Sequence, residues 1–324
     1  MLDVIGADGF RAVADAALEL PGVDGVEVLF MHEWGGLTRF AKSEIHQSTS
    51  QEDTGLRVRV VTNDRVGVSA SNDFSPAGAR RAAASAKEMA EIVMPDPLWP
   101  GLAAPADVPS RDGFDEATAH ASPEERAAAV AELIGTSPAG FTAAGAYETQ
   151  AVEVGLANSA GQFCWAPTTQ VSLSTVMTGG DGGNGYAEVF GAATIEADPV
   201  AVGERAAAKA VASQDPQQLD PGVYTVVLEP AAVSTLVGFL AFMGFGGRSI
   251  VEGRSCFSGK QGEKVAGGSI QIWDDATDPH TLGVPFDFEG VPRQRVDLIR
   301  LATDRSYAEP LIAFFRRRER MLWR

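Results

Sequence analysis

Apolar residues recur at helical spacing over residues 8–20, which open Asp8-Gly9-Phe10-Arg11-Ala12-Val13, and this predicts a helix. The pattern then changes to strand character at 24–32, and Trp34-Gly35-Gly36 reads as a turn. Further strands are expected at 37–50 and 54–62, and Asn63-Asp64 makes a tight turn into a strand at 66–71. Connections this short leave no room for crossover helices, so the segment is an antiparallel meander. Ser75-Pro76 opens the next helix, with Ser as N-cap and Pro in the first helical position, and the helix runs to about Ile92.

Residues 94–109 hold five prolines, which no regular element survives, so this stretch is a linker or wrapping segment. A second unit starts at Ser122-Pro123-Glu124-Glu125, a capping box with proline in the first turn. Strands are predicted near 139–147, 149–157 and 168–178, then a glycine-rich mobile loop at 178–185 and a strand at 186–190. Asp198-Pro199 opens a helix to about Ser213. A third unit begins with a strand at 224–228 and an apolar helix at 230–243, followed by glycine-rich residues 244–268. Helix, meander, helix occurs twice with strands and helices segregated, which is an α+β pattern of antiparallel meanders with flanking helices. The expected divisions are 1–105, 106–217, 218–299 and an atypical tail at 300–324.

Composition narrows the function. The 324 residues carry 43 acidic and 26 basic side chains, a net charge of -17. This disfavours a nucleic-acid binder, which needs a basic face, and association with an anionic membrane surface. The charge is uneven: residues 300–324 hold seven Arg and three acids, whereas the preceding 299 carry -21. Cys164 and Cys256 make no disulfide framework and fit a reducing compartment. The N-terminus shows no signal-peptide pattern, and the apolar stretch 231–245 is too short for a membrane span and reads as a buried helix. A cytoplasmic protein is expected.

Most familiar chemistry is missing. His32-Glu33 lacks the second His that a zinc-binding helix needs, and His46, His120 and His280 are scattered. Ser258-Gly259-Lys260-Gln261 resembles the end of a phosphate loop but lacks its first Gly and its metal-binding hydroxyl. Gly180, Gly182 and Gly185 have dinucleotide spacing, yet a strand follows them where a helix is required, and Asp181 would repel an anion. Asp274, Asp275, Asp287 and Glu289 either form an acidic cluster or cap turns, and turn capping is the reading favoured.

The segment 255–292 carries specific motifs. Ser255-Cys256-Phe257-Ser258-Gly259-Lys260-Gln261-Gly262-Glu263-Lys264-Val265, then Asp274-Asp275, then Pro285-Phe286-Asp287-Phe288-Glu289-Gly290-Val291-Pro292 resemble the TldD/PmbA family of metallopeptidase-related proteins. Weaker similarity upstream, at Gly55-Leu56-Arg57-Val58-Arg59, Asn158-Ser159-Ala160-Gly161 and residues 221–228, extends it over nearly all of the chain to about Ile299. The resemblance implies two kinds of subunit. The TldD kind carries His-Glu-x-x-x-His just before the Ser-x-Phe-Ser-Gly motif, two His binding zinc and the Glu acting as general base. That window falls here on Gly238-Phe239-Leu240-Ala241-Phe242-Met243, which holds no zinc ligand. The chain is therefore similar to the TldE (PmbA) kind, with no cofactor of its own, and Phe239, Leu240, Phe242 and Met243 are expected to pack in place of a metal site.

The implied assembly is a heterodimeric peptidase whose zinc sits in the partner and which cleaves flexible or unfolded peptides in a shared lumen; self-association is the other expected assembly. Ser255, Phe257, Ser258, Gly259, Lys260, Gly262, Glu263, Asp274, Asp275, Asp287, Glu289 and Gly290 would line that lumen or hold its walls. Alternatives are a hydrolase using residues 274–289, a regulatory protein-binding module and an inactive truncated member. The family normally continues past Leu298-Ile299 into a glycine-rich β region, so the Arg-rich tail reads as a frameshifted or truncated end.

Overall fold

The computed structural model describes residues 4–300 except 97, 98, 100, 181, 279 and 280, and omits the side chains of 248 and 251. His280, Asp181 and the tail 301–324 thus lie outside the described residues.

The fold is α+β. Helix α1 (Gly6–Leu18) precedes strands β1 (Gly25–Ala41), β2 (Glu44–Thr62) and β3 (Arg65–Ser71), and helix α2 (Pro76–Ile92) follows. Short α3 (Glu116–Ala119) leads to α4 (Pro123–Gly135), strands β4 (Phe141–Asn158), β5 (Phe163–Gly179) and β6 (Asn184–Gly191), and helix α5 (Pro199–Ala212). The six strands form one antiparallel sheet in the order β3-β2-β1-β4-β5-β6. The first and second units therefore share a sheet through β1 and β4, from Glu27 opposite Asn158 to Phe40 opposite Gly145.

Local chemistry sets the ends as expected. Ser75 Oγ accepts from the Gly78 N–H, and Ser122 and Glu125 form a reciprocal capping box. Each such cap contributes about 1 kcal/mol. Asn63 and Asp64 have φ of 50° and 58°, the left-handed pair of a tight hairpin turn.

Three strand expectations change. The turn at Trp34-Gly35-Gly36 is absent: β1 runs straight through it, and the hairpin turn lies at Lys42-Ser43. The two glycines serve close approach instead. A Cβ on Gly36 would sit 2.0 Å from Arg126 Nη2, and one on Gly35 would sit 2.2 Å from the Thr149 carbonyl. Likewise, 139–147 and 149–157 merge into the single strand β4. The strand expected at 224–228 does not form, since those residues pair with no described strand, and Val227 is 95% exposed.

Strand register places α1, α2, α4 and α5 on one face. Val26, Val28 and Phe30 of β1 pack with Phe10 and Val13 of α1 and Ala79, Ala82, Ala83 and Ala86 of α2. Phe40 of β1, with Ala143, Leu173 and Met177, packs with Val130 and Leu133 of α4 and Val202, Ala206 and Ala210 of α5. The two halves repeat one device. Gly67 of β3 lies where a Cβ would be 1.9 Å from the Ala86 carbonyl of α2, and Gly185 of β6 where it would be 2.0 Å from the Ala206 carbonyl of α5. Small residues on both sides bring helix backbone onto the outer strand of each half.

The opposite face, along the Glu27–Phe30 end of β1, is covered by loops. Residues 103–113 strap across it through Asn158 Nδ2 to Ala103 O (2.9 Å) and Thr169 N to Gly113 O (2.9 Å). Above Leu29, Val154, Cys164 and Ala166 sit Val284 and the fully buried Phe286. The rest of the C-terminal part comprises α6 (Pro230–Gly244), α7 (Gly247–Val251) and a two-stranded sheet of β7 (Ile272–Asp274) and β8 (Val296–Ile299). The helix predicted at 230–243 forms, but it is not buried: among its side chains Leu236, Phe239, Phe242 and Met243 are 61%, 61%, 84% and 59% exposed. It is apolar nearly all round, and no described element covers it.

Candidate functional site

The family-motif residues fall into three places. The first is the α6 window. Gly238, Phe239, Leu240, Ala241, Phe242 and Met243 form its last turns. Of the four side chains expected to pack in place of a metal site, Phe239, Phe242 and Met243 are exposed and Leu240 is half-buried.

Ser255–Val265 folds back on the end of that helix. Ser255 is buried, donates to the Gly244 carbonyl (2.6 Å) and accepts from the Phe257 N–H (3.0 Å). Phe257 stacks on Phe245 with centroids 5.1 Å apart, over Gly244, whose missing side chain makes room. Ser258 Oγ donates to the Ile250 carbonyl (3.0 Å) and so ties down α7. Gly259 and Gly262 have φ of 77° and 82° and turn the chain, which leaves Lys260 and Glu263 exposed. Ser255, Phe257 and Ser258 thus fix the α6 terminus, while Lys260 and Glu263 face solvent.

The loop at 285–292 docks on the sheet. Asp287 Oδ1 accepts the N–H groups of Glu289 and Val291, both at 3.0 Å, and holds the turn in which Gly290 has a φ of 78°. Gln162 Nε2 donates to the Gly290 carbonyl at 2.6 Å. Glu289 receives a two-pronged bond from Arg59, Nη1 at 2.7 Å and Nη2 at 3.1 Å. Arg59 Nη1 also lies 3.1 Å from Glu27, its cross-strand neighbour. Burial pushes the Glu27 carboxyl up to about 7 against the pull of Arg59, with Glu289 and Asp287 adding to the rise. Its Oε2 is buried with no hydrogen-bond partner.

Asp274, Asp275, Asp287 and Glu289 therefore make no common acidic cluster. Asp275 caps Thr277, whose bonds hold its carboxyl below the usual range. Asp287 caps a turn, Glu289 pairs with Arg59, and Asp274 is exposed at the end of β7. Among the described residues no group of three or more His, Cys, Asp or Glu is arranged to hold a metal ion.

Sequence reasoning missed two buried networks. Glu27 and Arg59 stand inside Val26-Glu27-Val28 and Val58-Arg59-Val60, and a charge flanked by valines in each of two strands was the available signal. His32, given only as an incomplete metal motif, is 2% exposed and lies between Glu153 (Nδ1, 3.0 Å) and Glu52 (Nε2, 3.1 Å). Burial lowers its basicity, but the bonds to the two carboxylates more than offset this and raise it. Glu153 also accepts the N–H groups of Ile5 and Gly6, both at 2.8 Å, and so caps α1, whose own N-cap residue has no capping side chain. Burial opposes ionisation of Glu153, yet the bonds from His32 and from the Gly6 and Ile5 N–H groups hold its carboxyl low. Of the cysteines, Cys164 is buried with its thiol pushed up to about 11, and Cys256 is exposed. His46 is exposed on β2, and His120 ends α3 and pairs with Glu116 at 3.2 Å.

Residues 26–90 match the description PmbA/TldA metallopeptidase domain 1, 115–214 its central domain and 221–301 its C-terminal domain. The three follow one another in order and together cover well over half of the chain. The chain belongs to the PmbA/TldD family. It is 27% identical over 305 residues to Metalloprotease PmbA of Escherichia coli O157:H7, covering 88% of this chain and 66% of that protein. The chain thus spans a little under two thirds of that relative's length. The fold matches TldE from Thermococcus kodakarensis (TM-score 0.73, 20% identity, 90% of this chain and 66% of that one). It also matches a proposed modulator of a DNA gyrase from Thermotoga maritima MSB8 (TM-score 0.79, 16% identity, 90% and 68%). No helix among the described residues is long and apolar enough to cross a membrane.

The zinc that this family implies does not fit here. The α6 side chains at the motif window offer no nitrogen, sulfur or carboxylate ligand apart from the thioether of Met243, and residues 230–250 contain no His, Cys, Asp or Glu.

Proposed function

We propose that this chain is the PmbA (TldE) kind of subunit, the partner without zinc in a metallopeptidase complex acting on flexible or unfolded peptides. The observation that carries the reading is the α6 window: Gly238–Met243 stands shortly before Ser255-Cys256-Phe257-Ser258-Gly259, where a catalytic family member places His-Glu-x-x-x-His, and nothing there binds zinc or takes a proton. In this reading Ser255, Phe257 and Ser258 hold α6, Arg59 and Glu289 hold the C-terminal loop on the sheet, and the exposed Phe239, Phe242 and Met243 meet the zinc-bearing partner. Water activation, Lewis-acid chemistry and the general base then come from the partner, while this chain binds and orients peptide.

The test is reconstitution. Purified chain alone should not cleave an unstructured peptide such as casein, and adding a family member that carries His-Glu-x-x-x-His should produce cleavage. Cleavage by this chain alone would overturn the reading.

A further inference from the structure

Two carboxylates converge on one guanidinium where the C-terminal loop meets the sheet. Glu27 and Arg59 oppose each other on β1 and β2, both buried, with Glu27 Oε1 3.1 Å from Arg59 Nη1. The same Nη1 donates to Glu289 at 2.7 Å, and Nη2 donates to Glu289 at 3.1 Å. The two acids differ in freedom. Glu27 is held by strand pairing on both sides, opposite Arg59 and opposite Asn158 of β4. Glu289 belongs to a turn that closes on itself, since Asp287 Oδ1 accepts the Glu289 and Val291 N–H groups. That turn follows Phe286, which is fully buried and packs with Val284 against the sheet, so residues 287–291 can lift about it as a unit. Apart from Arg59, the turn is tied to the sheet by Gln162 Nε2, which donates to the Gly290 carbonyl at 2.6 Å, and by the Cys164 thiol at 3.6 Å from the same oxygen. Glu27 Oε2 is buried and bonds nothing, so an ionised Glu27 has only Arg59 to bond, and Glu289 already engages it.

We propose that Arg59, shared between Glu27 of the sheet and Glu289 of the loop, is a pH-sensitive clasp that holds residues 287–291 on the sheet while Glu27 is neutral and releases them when Glu27 ionises. A neutral Glu27 leaves the charge of Arg59 to Glu289. An ionised Glu27 competes for Nη1 and repels both acids of the turn. The groups acting on Glu27 are Arg59 and Arg57 from β2 and Glu289 and Asp287 from the loop, while Asn158 on β4 carries no charge. Cys164, beneath Gly290, is pushed up to about 11 and stays neutral through the range in question. His32 projects to the other face, because alternate residues of β1 point to opposite sides. Burial, the largest influence, lifts the docked Glu27 carboxyl to about 7. Release lets water reach it, and its carboxyl falls back toward the ordinary 4.5. A group raised in the docked state favours docking fully below its ordinary value and loses that contribution as pH climbs through the docked one. The clasp therefore loosens between about pH 4.5 and pH 7 and changes little above about pH 8.

The inference is independent of the proposed function, because its test reads the loop and neither zinc nor cleavage. Cys164 lies under the Gly290 carbonyl and reports the opening. In a Cys256→Ser background of the full chain, which removes the exposed thiol, Cys164 is trapped with excess pyridyl disulfide from pH 5 to pH 8. Each rate is divided by that of the same chain carrying Glu27→Gln at the same pH, which cancels the titration of the thiol itself. The ratio should rise by about tenfold or more across this range. Glu289→Gln removes the loop's side of the clasp and gives a second reading that does not depend on how Glu27→Gln folds. It should trap about tenfold faster than its parent at pH 5 and about equally at pH 8. Trapping should be insensitive to low urea, because lifting a short turn exposes little surface. A ratio that stays constant with pH would overturn the proposal. So would a Glu289→Gln effect of equal size at pH 5 and pH 8, or trapping that accelerates with urea as global unfolding does.

Discussion

The sheet with its four long helices and the C-terminal segment obey different rules. In the sheet, apolar side chains find partners within the chain: Phe10, Phe30, Leu133 and Leu173 are fully buried. In the C-terminal part, Phe242 of α6 is 84% exposed, and so is most of the apolar run from Val223 to Leu228. The best-buried stretch there among the described residues is the loop around Phe286, which the sheet itself covers. The sheet half is thus stabilised by its own residues. The C-terminal part is anchored through Arg59–Glu289, Gln162–Gly290, Arg111–Ala276 and the packing of Val284 and Phe286, and presents much of its other apolar surface outward. Patches of this kind mark contact surfaces.

The largest effect should come from the sheet. Phe30→Ala should cost about 3–5 kcal/mol, as large aromatic deletions in a closed core do, and lower the urea midpoint of the whole protein. Arg59→Ala should come next, at about 3 kcal/mol, because it leaves Glu27 and Glu289 as facing carboxylates without their cation. Its signature is local: limited proteolysis should accelerate at 218–300 before the sheet opens. A mutant that unfolds as one unit, with no early cleavage there, would show that the anchor is not confined to that loop.

Acidity should sharpen the same contrast. The folded-state value of Glu27 lies above its ordinary carboxylate value, so its contribution is fully present at low pH and is lost as pH rises from about 4.5 through about 7. His32 is also raised, and its contribution is likewise present below its ordinary value and lost as pH climbs through the higher folded one. Stability should therefore fall from pH 5 to pH 8, and Glu27→Gln should flatten much of that slope. An unchanged slope in the variant would remove Glu27 from the account. The smallest effect belongs to α6: Phe242→Ala should move stability by under about 0.5 kcal/mol.

Much of the sheet half could be read in the chain, because its signals are local. Ser75, the Ser122–Glu125 box and the Asn63-Asp64 turn each act within a few residues. The glycines misled, since Gly35 and Gly36 look like a turn while serving close approach across the sheet, a property of Thr149 and Arg126 far along the chain. The alternating run 224–228 resembles a strand, but strand formation also needs a partner edge. The candidate site was legible as motifs and not as contacts. Glu289 meets Arg59 across 230 positions, and no spacing rule announces such a pair. The acidic residues 274–289 illustrate the reverse: close in sequence, they perform separate tasks of turn capping and ion pairing.

The claim that this chain is the subunit without zinc is tested most directly by metal analysis. The purified chain, incubated with excess zinc and then dialysed, should retain far less than one zinc per chain by mass spectrometry. One tightly held zinc per chain would contradict the account.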